Sequence, residues 1–356
     1  MKSKEKKYYR LYQDLRKAIL CGEYKAGQKL PSKRVTADKT GYSMITVQTA
    51  YDMLSEEGYV TPRERSGYFV NKIETIGAEF ALAESKPFSR LPEESLSVER
   101  ADFESSVWIK TVRKVISDDE KRLFVKSPNK GVNALRNAIA DYLYRYRGMI
   151  AEPERIIIGS GAEQLYETVV KVLGRDKIYG IENPSYAQIN AVYEAEGVKV
   201  TYLKMGEAGV ESGELGKDFD VLHVTPFHSY PSGVTTPIAK RYEYLKWAEV
   251  RNGYIIEDDF DSEFFLPGQP IESLYSLSSG KYVIYVNTFS KSLSPSMRMG
   301  YMILPEELMI EYERKLGHFS CSVPVLDQYV LAEFIESGSF ERHLSRARRK
   351  MKKDEI

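Results

Sequence analysis

Tyr282-Val283-Ile284-Tyr285-Val286-Asn287-Thr288-Phe289-Ser290-Lys291-Ser292-Leu293-Ser294-Pro295-Ser296-Met297-Arg298-Met299-Gly300-Tyr301 is the stretch whose reading decides the fold. Its first five residues are apolar, largely β-branched or aromatic, and read as a buried strand. Lys291 follows among hydroxyls, and Arg298 stands seven positions on. A lysine just past a strand end forms a Schiff base with an aldehyde when its site helps it lose a proton. Thr288, Ser290 and Arg298 are the donor types that hold a phosphate. An aldehyde and a phosphate carried a few ångströms apart are the two handles of pyridoxal 5′-phosphate.

The sequence on either side extends this reading. From Asp102 on, helical and strand patterns alternate. Strands are predicted at 155–158, 177–181, 199–203, 221–224 and 253–256, separated by amphipathic helices. That order predicts an α/β domain with a mainly parallel sheet, helices on both faces and a site at the strand carboxyl ends. Ser160-Gly161-Ala162 joins a strand to a helix, a turn whose backbone N–H groups suit a phosphate. Three further segments end at the same edge: Glu182-Asn183-Pro184-Ser185-Tyr186, Thr225 to Gly233, and the acidic Glu257-Asp258-Asp259-Phe260-Asp261-Ser262-Glu263. No metal site is expected from these acids, because no phosphate-rich substrate motif accompanies them.

The first seventy residues are different in kind. Residues 1–72 carry fifteen Lys and Arg against eight Asp and Glu, although the whole chain has a formal net charge of zero. Leu11, Leu15, Ala18 and Ile19 mark one helical face, which Gly22 ends. Ser32 is a predicted N-cap for a second helix with Val35 and Ala37 turned inward. Ser43 caps a third, with Val47, Ala50, Tyr51 and Leu54 inward and Met44, Ile45, Thr46, Gln48 and Thr49 outward. Two short strands, 59–61 and 67–70, flank the charged turn Pro62-Arg63-Glu64-Arg65-Ser66. Three helices and a basic hairpin describe a winged helix-turn-helix, whose third helix enters the major groove of DNA. Residues 73–98 read as a semi-ordered tether, with a short helix predicted over 78–84. The predicted organisation is thus 1–72, 73–98 and 99–356.

At 42% hydrophobic the chain is able to bury substantial cores. Its two cysteines, Cys21 and Cys321, form no disulfide framework, which fits a reducing cytoplasm. No apolar run approaches the length of a membrane span.

Two resemblances sharpen these expectations. Leu30-Pro31-Ser32-Lys33-Arg34, Gly41-Tyr42-Ser43 with Thr46-Val47, Ala50-Tyr51, Leu54 to Tyr59, and Ser66 to Val70 closely resemble the DNA-binding domain of GntR-type bacterial regulators. That resemblance implies DNA contacts at Lys33, Arg34, Ser43, Thr46, Gln48, Arg65 and Gly67. Met44 and Gln48 depart from it, standing where many of these regulators carry arginines. The large domain, from about Asp102 on, resembles fold-type I aminotransferases, and the fusion resembles the MocR-type (GabR-like) regulators. It implies that Lys291 is the Schiff-base lysine and that Asp258 pairs with the pyridine nitrogen. It also implies that Tyr186 stacks on the ring and that Ser160, Gly161, Ala162, Thr288, Ser290 and Arg298 hold the phosphate. Phe260 replaces the usual tyrosine that donates to the cofactor's phenolic oxygen, and Tyr230 is placed to substitute. Gln188 stands where some relatives have a ligand-binding arginine. Glu341 to Arg349 resembles the helix leading to the family's small C-terminal domain, and that domain is not expected within this chain. The expected function is a pyridoxal-phosphate-binding, homodimeric, cytoplasmic transcriptional regulator responding to an amino-containing effector or to the cofactor itself, with transamination not expected. Two alternatives stay open: a working aminotransferase with an accessory DNA-binding domain, and a DNA-binding protein whose second domain only dimerises.

Overall fold

The computed structural model describes residues 6–73, 105–260, 262–264 and 272–354. The chain divides into two compact units, 1–96 and 97–356. The short helix expected at 78–84 and nearly all of the tether lie outside the described residues.

In the first unit, helices α1 (Lys7–Leu20), α2 (Lys33–Thr40) and α3 (Met44–Glu56) precede an antiparallel hairpin of β1 (Val60–Arg63) and β2 (Gly67–Val70). The caps are those the sequence predicts: the Ser32 hydroxyl accepts from the Val35 N–H at 3.3 Å, and the Ser43 hydroxyl from the Thr46 N–H at 3.2 Å. The core gathers Leu11, Leu15 and Ile19 of α1 with Val47, Ala50, Tyr51 and Leu54 of α3. One expectation fails. Val35 is exposed, and Thr36 takes the inward position. The Thr36 hydroxyl lies 2.9 Å from the Tyr51 hydroxyl, so the buried threonine has a polar partner within the core.

The second unit is built on an eight-stranded sheet. Its strands are β3 (Ile156–Gly159), β4 (Ile178–Asn183), β5 (Lys199–Gly206), β6 (Gly209–Val210), β7 (Val221–Val224), β8 (Tyr254–Asp258), β9 (Val283–Thr288) and β10 (Gly300–Ile303), in the order β3-β10-β9-β8-β7-β4-β5-β6. Period-2 alternation sorts each central strand between two cores. Ile156 and Ile158, Ile255, and Val283 and Tyr285 face one of them, while Ile157, Ile256, and Ile284 and Val286 face the other. Burial on both faces is why these strands read as unbroken apolar runs.

The sheet is mainly parallel, but β10 runs antiparallel between β3 and β9. This strand was not among those predicted. Its register sets Gly300 opposite Gly159 on one side and Thr288 on the other. A side chain at Gly300 would come within 2.8 Å of the Asn287 carbonyl oxygen, so only glycine lets the strands close there.

At the other border, β6 pairs with just the end of β5. The neighbouring part of that border, at Tyr202 and Lys204, is covered from the following turn. The Glu211 N–H donates to the Lys204 carbonyl at 2.9 Å, the Lys204 N–H to Glu214 at 2.9 Å, and the Lys217 ammonium to the Tyr202 carbonyl at 3.1 Å.

Three acids at and just beyond the end of β8 are structural. Glu257 accepts the Leu274 and Tyr275 N–H groups at 2.8 and 2.9 Å. Asp259 accepts from Tyr285 at 2.6 Å and pairs with Arg147 at 3.1 Å. Glu263 accepts from Asn287 at 2.9 Å. Burial, followed by the Asp259 charge, pushes the Glu263 carboxyl from its ordinary 4.5 up to about 7.

This raised value has a measurable consequence. The contribution of Glu263 to stability is fully present below about pH 4.5 and is lost as the pH rises towards 7. Compared with Glu263→Gln, which does not titrate, the wild type is expected to lose on the order of 3 kcal/mol across that window and little above it. Urea unfolding of both proteins at pH 5, 6 and 7.5 checks this; a difference independent of pH rejects it.

Candidate functional site

Because β3, β9, β8, β7 and β4 run the same way, their carboxyl ends share one edge, and β10 starts there. A cavity of about 410 Å³ opens at that edge. Lys291, Asp258, Tyr186, Tyr230, Ala162, Thr288, Ser290 and Arg298 line it, as do Phe260, Gln188, Thr225, Glu163 and Tyr166. Ser160 and Gly161 adjoin it: a Cβ added to Gly161 would lie 3.2 Å from the Arg298 guanidinium. Gly161 has φ of +101°, so the turn into the helix Ala162–Leu173 favours a residue without a side chain.

Asp258 closes the cavity floor at the end of β8. The Tyr166 hydroxyl donates to its Oδ2 at 2.5 Å, and His223 Nε2 lies 3.8 Å from the same oxygen. On the far side of the imidazole, Tyr193 reaches Nδ1 at 2.7 Å. Burial and the Asp258 charge raise the Tyr166 phenol far above its usual value, so it remains a donor. Asp258 is therefore held as an acceptor in a buried place, where a carboxylate attracts a protonated ring nitrogen strongly.

Lys291 stands on the one-turn helix Phe289–Ser292 that follows β9. Its ammonium lies 5.1 Å from the centroid of the Phe260 ring and 6.0 Å from that of Phe264. Phe260 thus offers the lysine a π face where a tyrosine would offer a hydroxyl. Tyr186 and Tyr230 meet edge to face at 6.1 Å near the cavity mouth, and both are exposed. The loop carrying Tyr230 is anchored by Arg241, a fully buried guanidinium that donates to the carbonyls of Pro226, Thr236 and Glu272.

The sequence reading passed over several residues of this site. His223 sits in an otherwise apolar strand, and that polar interruption was its signal. Tyr166 and Tyr193 carried none, since aromatic residues on helix faces are ordinarily core. Glu182 is buried at the end of β4, where it accepts from the Thr225 hydroxyl and, at 2.9 Å, from that of Ser229. Glu163 pairs with Arg298 at 2.8 Å, directly over Gly161. A carboxylate of the chain itself therefore engages the guanidinium that an incoming anion would use.

In the first unit, Arg34 and Arg65 are exposed, Arg65 at the tip of the hairpin turn with φ of +56°. Gly67 packs against the Lys29 side chain. The Ser43 and Thr46 hydroxyls lie 2.9 Å apart. The Gln48 amide accepts from Lys33 and donates to Asp52 at 2.6 Å. Both ends of the one amide on the outward face of α3 are thus engaged within the domain. No helix among the described residues is long and apolar enough to cross a membrane.

Comparison with known proteins agrees with both halves. Residues 7–70 match the family of bacterial regulatory proteins called gntR, and residues 95–355 match aminotransferase class I and II. The chain is 32% identical to the uncharacterised HTH-type transcriptional regulator YdeL of Bacillus subtilis, over 97% of this chain and 77% of that protein. It is 29% identical to the pyridoxine biosynthesis regulator PdxR of Corynebacterium glutamicum, over 95% and 75%. To the probable rhizopine catabolism regulatory protein MocR of Rhizobium meliloti it is also 29% identical, over 95% and 73%. Among solved structures, an archaeal alanine:glyoxylate aminotransferase superposes with a TM-score of 0.62 at 25% identity, covering 68% of this chain and 62% of the enzyme. The chain thus spans less than two thirds of that enzyme's length.

The Glu163–Arg298 pair yields a prediction about the cavity. Glu163→Gln removes the internal competitor, so inorganic phosphate is expected to bind roughly two- to fivefold more tightly, the scale of a half-exposed ion pair. Arg298→Ala should weaken it. Titration calorimetry with phosphate on the three proteins decides; equal affinity in Glu163→Gln and wild type removes the competition from the account.

Proposed function

This chain belongs to the MocR-type GntR regulators, in which a winged helix-turn-helix is fused to an aminotransferase class I and II domain, and on that premise we propose that it binds pyridoxal 5′-phosphate and controls transcription through it. The observation that carries the reading is the convergence of Lys291, Asp258 and Arg298, with the Gly161 turn, on one cavity of about 410 Å³. Nothing smaller needs all four: a simple anion has no use for Asp258, and a simple amine none for Arg298.

The residues divide the task by chemistry. Lys291 would hold the cofactor by its aldehyde carbon, the carbonyl oxygen leaving as water. Asp258, kept an acceptor by Tyr166, holds the ring nitrogen in its protonated form. Ser160, Gly161, Ala162, Thr288, Ser290 and Arg298 take the phosphate, with Arg298 leaving Glu163 to do so. Tyr186 covers the ring, and Tyr230 supplies the hydroxyl that Phe260 lacks. When bound, the cofactor supplies an electrophilic carbonyl joined to an electron-withdrawing ring. An amino-containing effector, or the cofactor itself, then biases the DNA affinity of a homodimer, and by linkage the operator biases ligand affinity equally. The name of the pyridoxine biosynthesis regulator among the relatives supports a vitamin-linked signal.

Catalytic transamination is a second reading, favoured by the retained Lys291 and Asp258. Two observations weigh against it. Phe260 presents a ring and no donor to the lysine, and Gln188, a neutral amide, lines the cavity where a substrate carboxylate needs a cation. A panel of amino acids under single-turnover conditions separates the readings, since an enzyme converts the cofactor stoichiometrically to its amine form.

Two predictions test the main proposal. The purified protein with pyridoxal phosphate is expected to show a visible absorbance band and a borohydride-fixed adduct on Lys291, both lost in Lys291→Ala. An unchanged adduct mass in that variant would place attachment elsewhere. On DNA, Arg34→Ala and Arg65→Ala should weaken binding about equally on all sequences and each lower the salt slope by about one. Binding that tolerates both changes at 150 mM salt rules out the proposed docking.

A further inference from the structure

We propose that Met44 and Ile45 read thymine methyl groups in the major groove, so that apolar contact sets the base preference of this regulator at the start of its recognition helix. The inference rests on DNA binding by the winged helix and adds the chemical identity of what is read. Ile45 is 79% exposed and Met44 49% exposed, side by side on the first turn of α3, just after the Ser43 cap. The opposite face of the helix is spent on the core through Val47, Ala50, Tyr51 and Leu54.

The polar side chains on these turns already have partners inside the domain. Gln48 is held between Lys33 and Asp52, and Tyr68 lies 3.5 Å from the same Asp52 oxygen. The Thr49 hydroxyl donates to the Ile45 carbonyl at 2.9 Å, and the Thr46 hydroxyl lies 2.9 Å from that of Ser43. What the helix start presents outward is therefore hydrocarbon. In the major groove the thymine C5-methyl is the apolar group on a base edge, and guanine and cytosine expose only donors and acceptors there. The same domain exposes Arg34, Arg63 and Arg65, cations of the kind that take phosphates while other side chains meet the bases.

Deoxyuridine isolates the effect, because it removes one methyl and keeps every hydrogen-bonding group of thymine. The full-length protein first enriches a duplex from a randomised pool, and each thymine is then replaced singly while affinity is followed by fluorescence anisotropy at fixed salt. Wild type is expected to lose about fourfold at one or two positions per half-site, the worth of one buried methyl. Ile45→Ala or Met44→Ala should abolish the difference at its own position, and Arg34→Ala should weaken both duplexes alike. An enriched duplex whose thymines are all replaceable without loss overturns the proposal and leaves DNA binding standing. So does full sensitivity retained in both alanine variants. A pool that yields no enriched sequence overturns the proposal together with the DNA-binding reading.

Discussion

The second unit depends on the insertion of one antiparallel strand, β10, in register between β3 and β9. Gly300 stands level with Gly159 and Thr288, so the residues just outside that row are neighbours in space though far apart in sequence. Ser160 and Gly161 leave one strand there, Thr288 and Lys291 leave a second, and Arg298 arrives on the third. The tolerance is small. A methyl at Gly300 meets a backbone carbonyl at 2.8 Å, and backbone is the part of a sheet least able to give way. A single atom at this crossing would part Ser160, Gly161 and Arg298 from the lysine.

Much of this was legible beforehand because it is written in local patterns. The central strands announce themselves as apolar runs, since each is covered on both faces. Lys291, Asp258 and the Ser160–Ala162 turn stand at predicted strand ends, where an α/β sheet places its chemistry. The caps at Ser32 and Ser43 follow from residue type alone. What escaped is pairwise. Tyr166, His223 and Tyr193 become a connected group only when two helices and two strands have been assembled around Asp258. Glu163 looks like any surface acid of a first helical turn until Arg298 is brought to it from 135 residues away. Val35 and Thr36 exchanged places because adjacent helical positions differ by about 100°, and a weakly amphipathic eight-residue helix does not say which is inside. The engagement of Gln48 by Lys33 and Asp52 is likewise pairwise, and nothing in the spacing of the three residues announces it.

The two units also differ in how they use charge. The second buries it: Arg147 against Asp259, Arg241 among carbonyls, Glu257 on two backbone N–H groups. Breaking one of these partnerships leaves an uncompensated ion in a buried place. Such groups add little net stability compared with hydrocarbon, but they penalise every alternative packing of the strand ends around the cavity. The first unit keeps its cations outside, on α2 and the hairpin turn, where they remain available to a polyanion.

The border of the sheet at β5 has a consequence for how copies of this chain meet. A free strand edge is a template on which another chain adds its own strand. Here the Tyr202 carbonyl and both backbone groups of Lys204 are taken by Glu211, Glu214 and Lys217 from a turn of the same chain. Two of these partners are charged side chains, which also repel a flat apolar strand. Over that part of the border a visiting strand finds its ladder positions occupied, so sheet extension there first has to displace the turn.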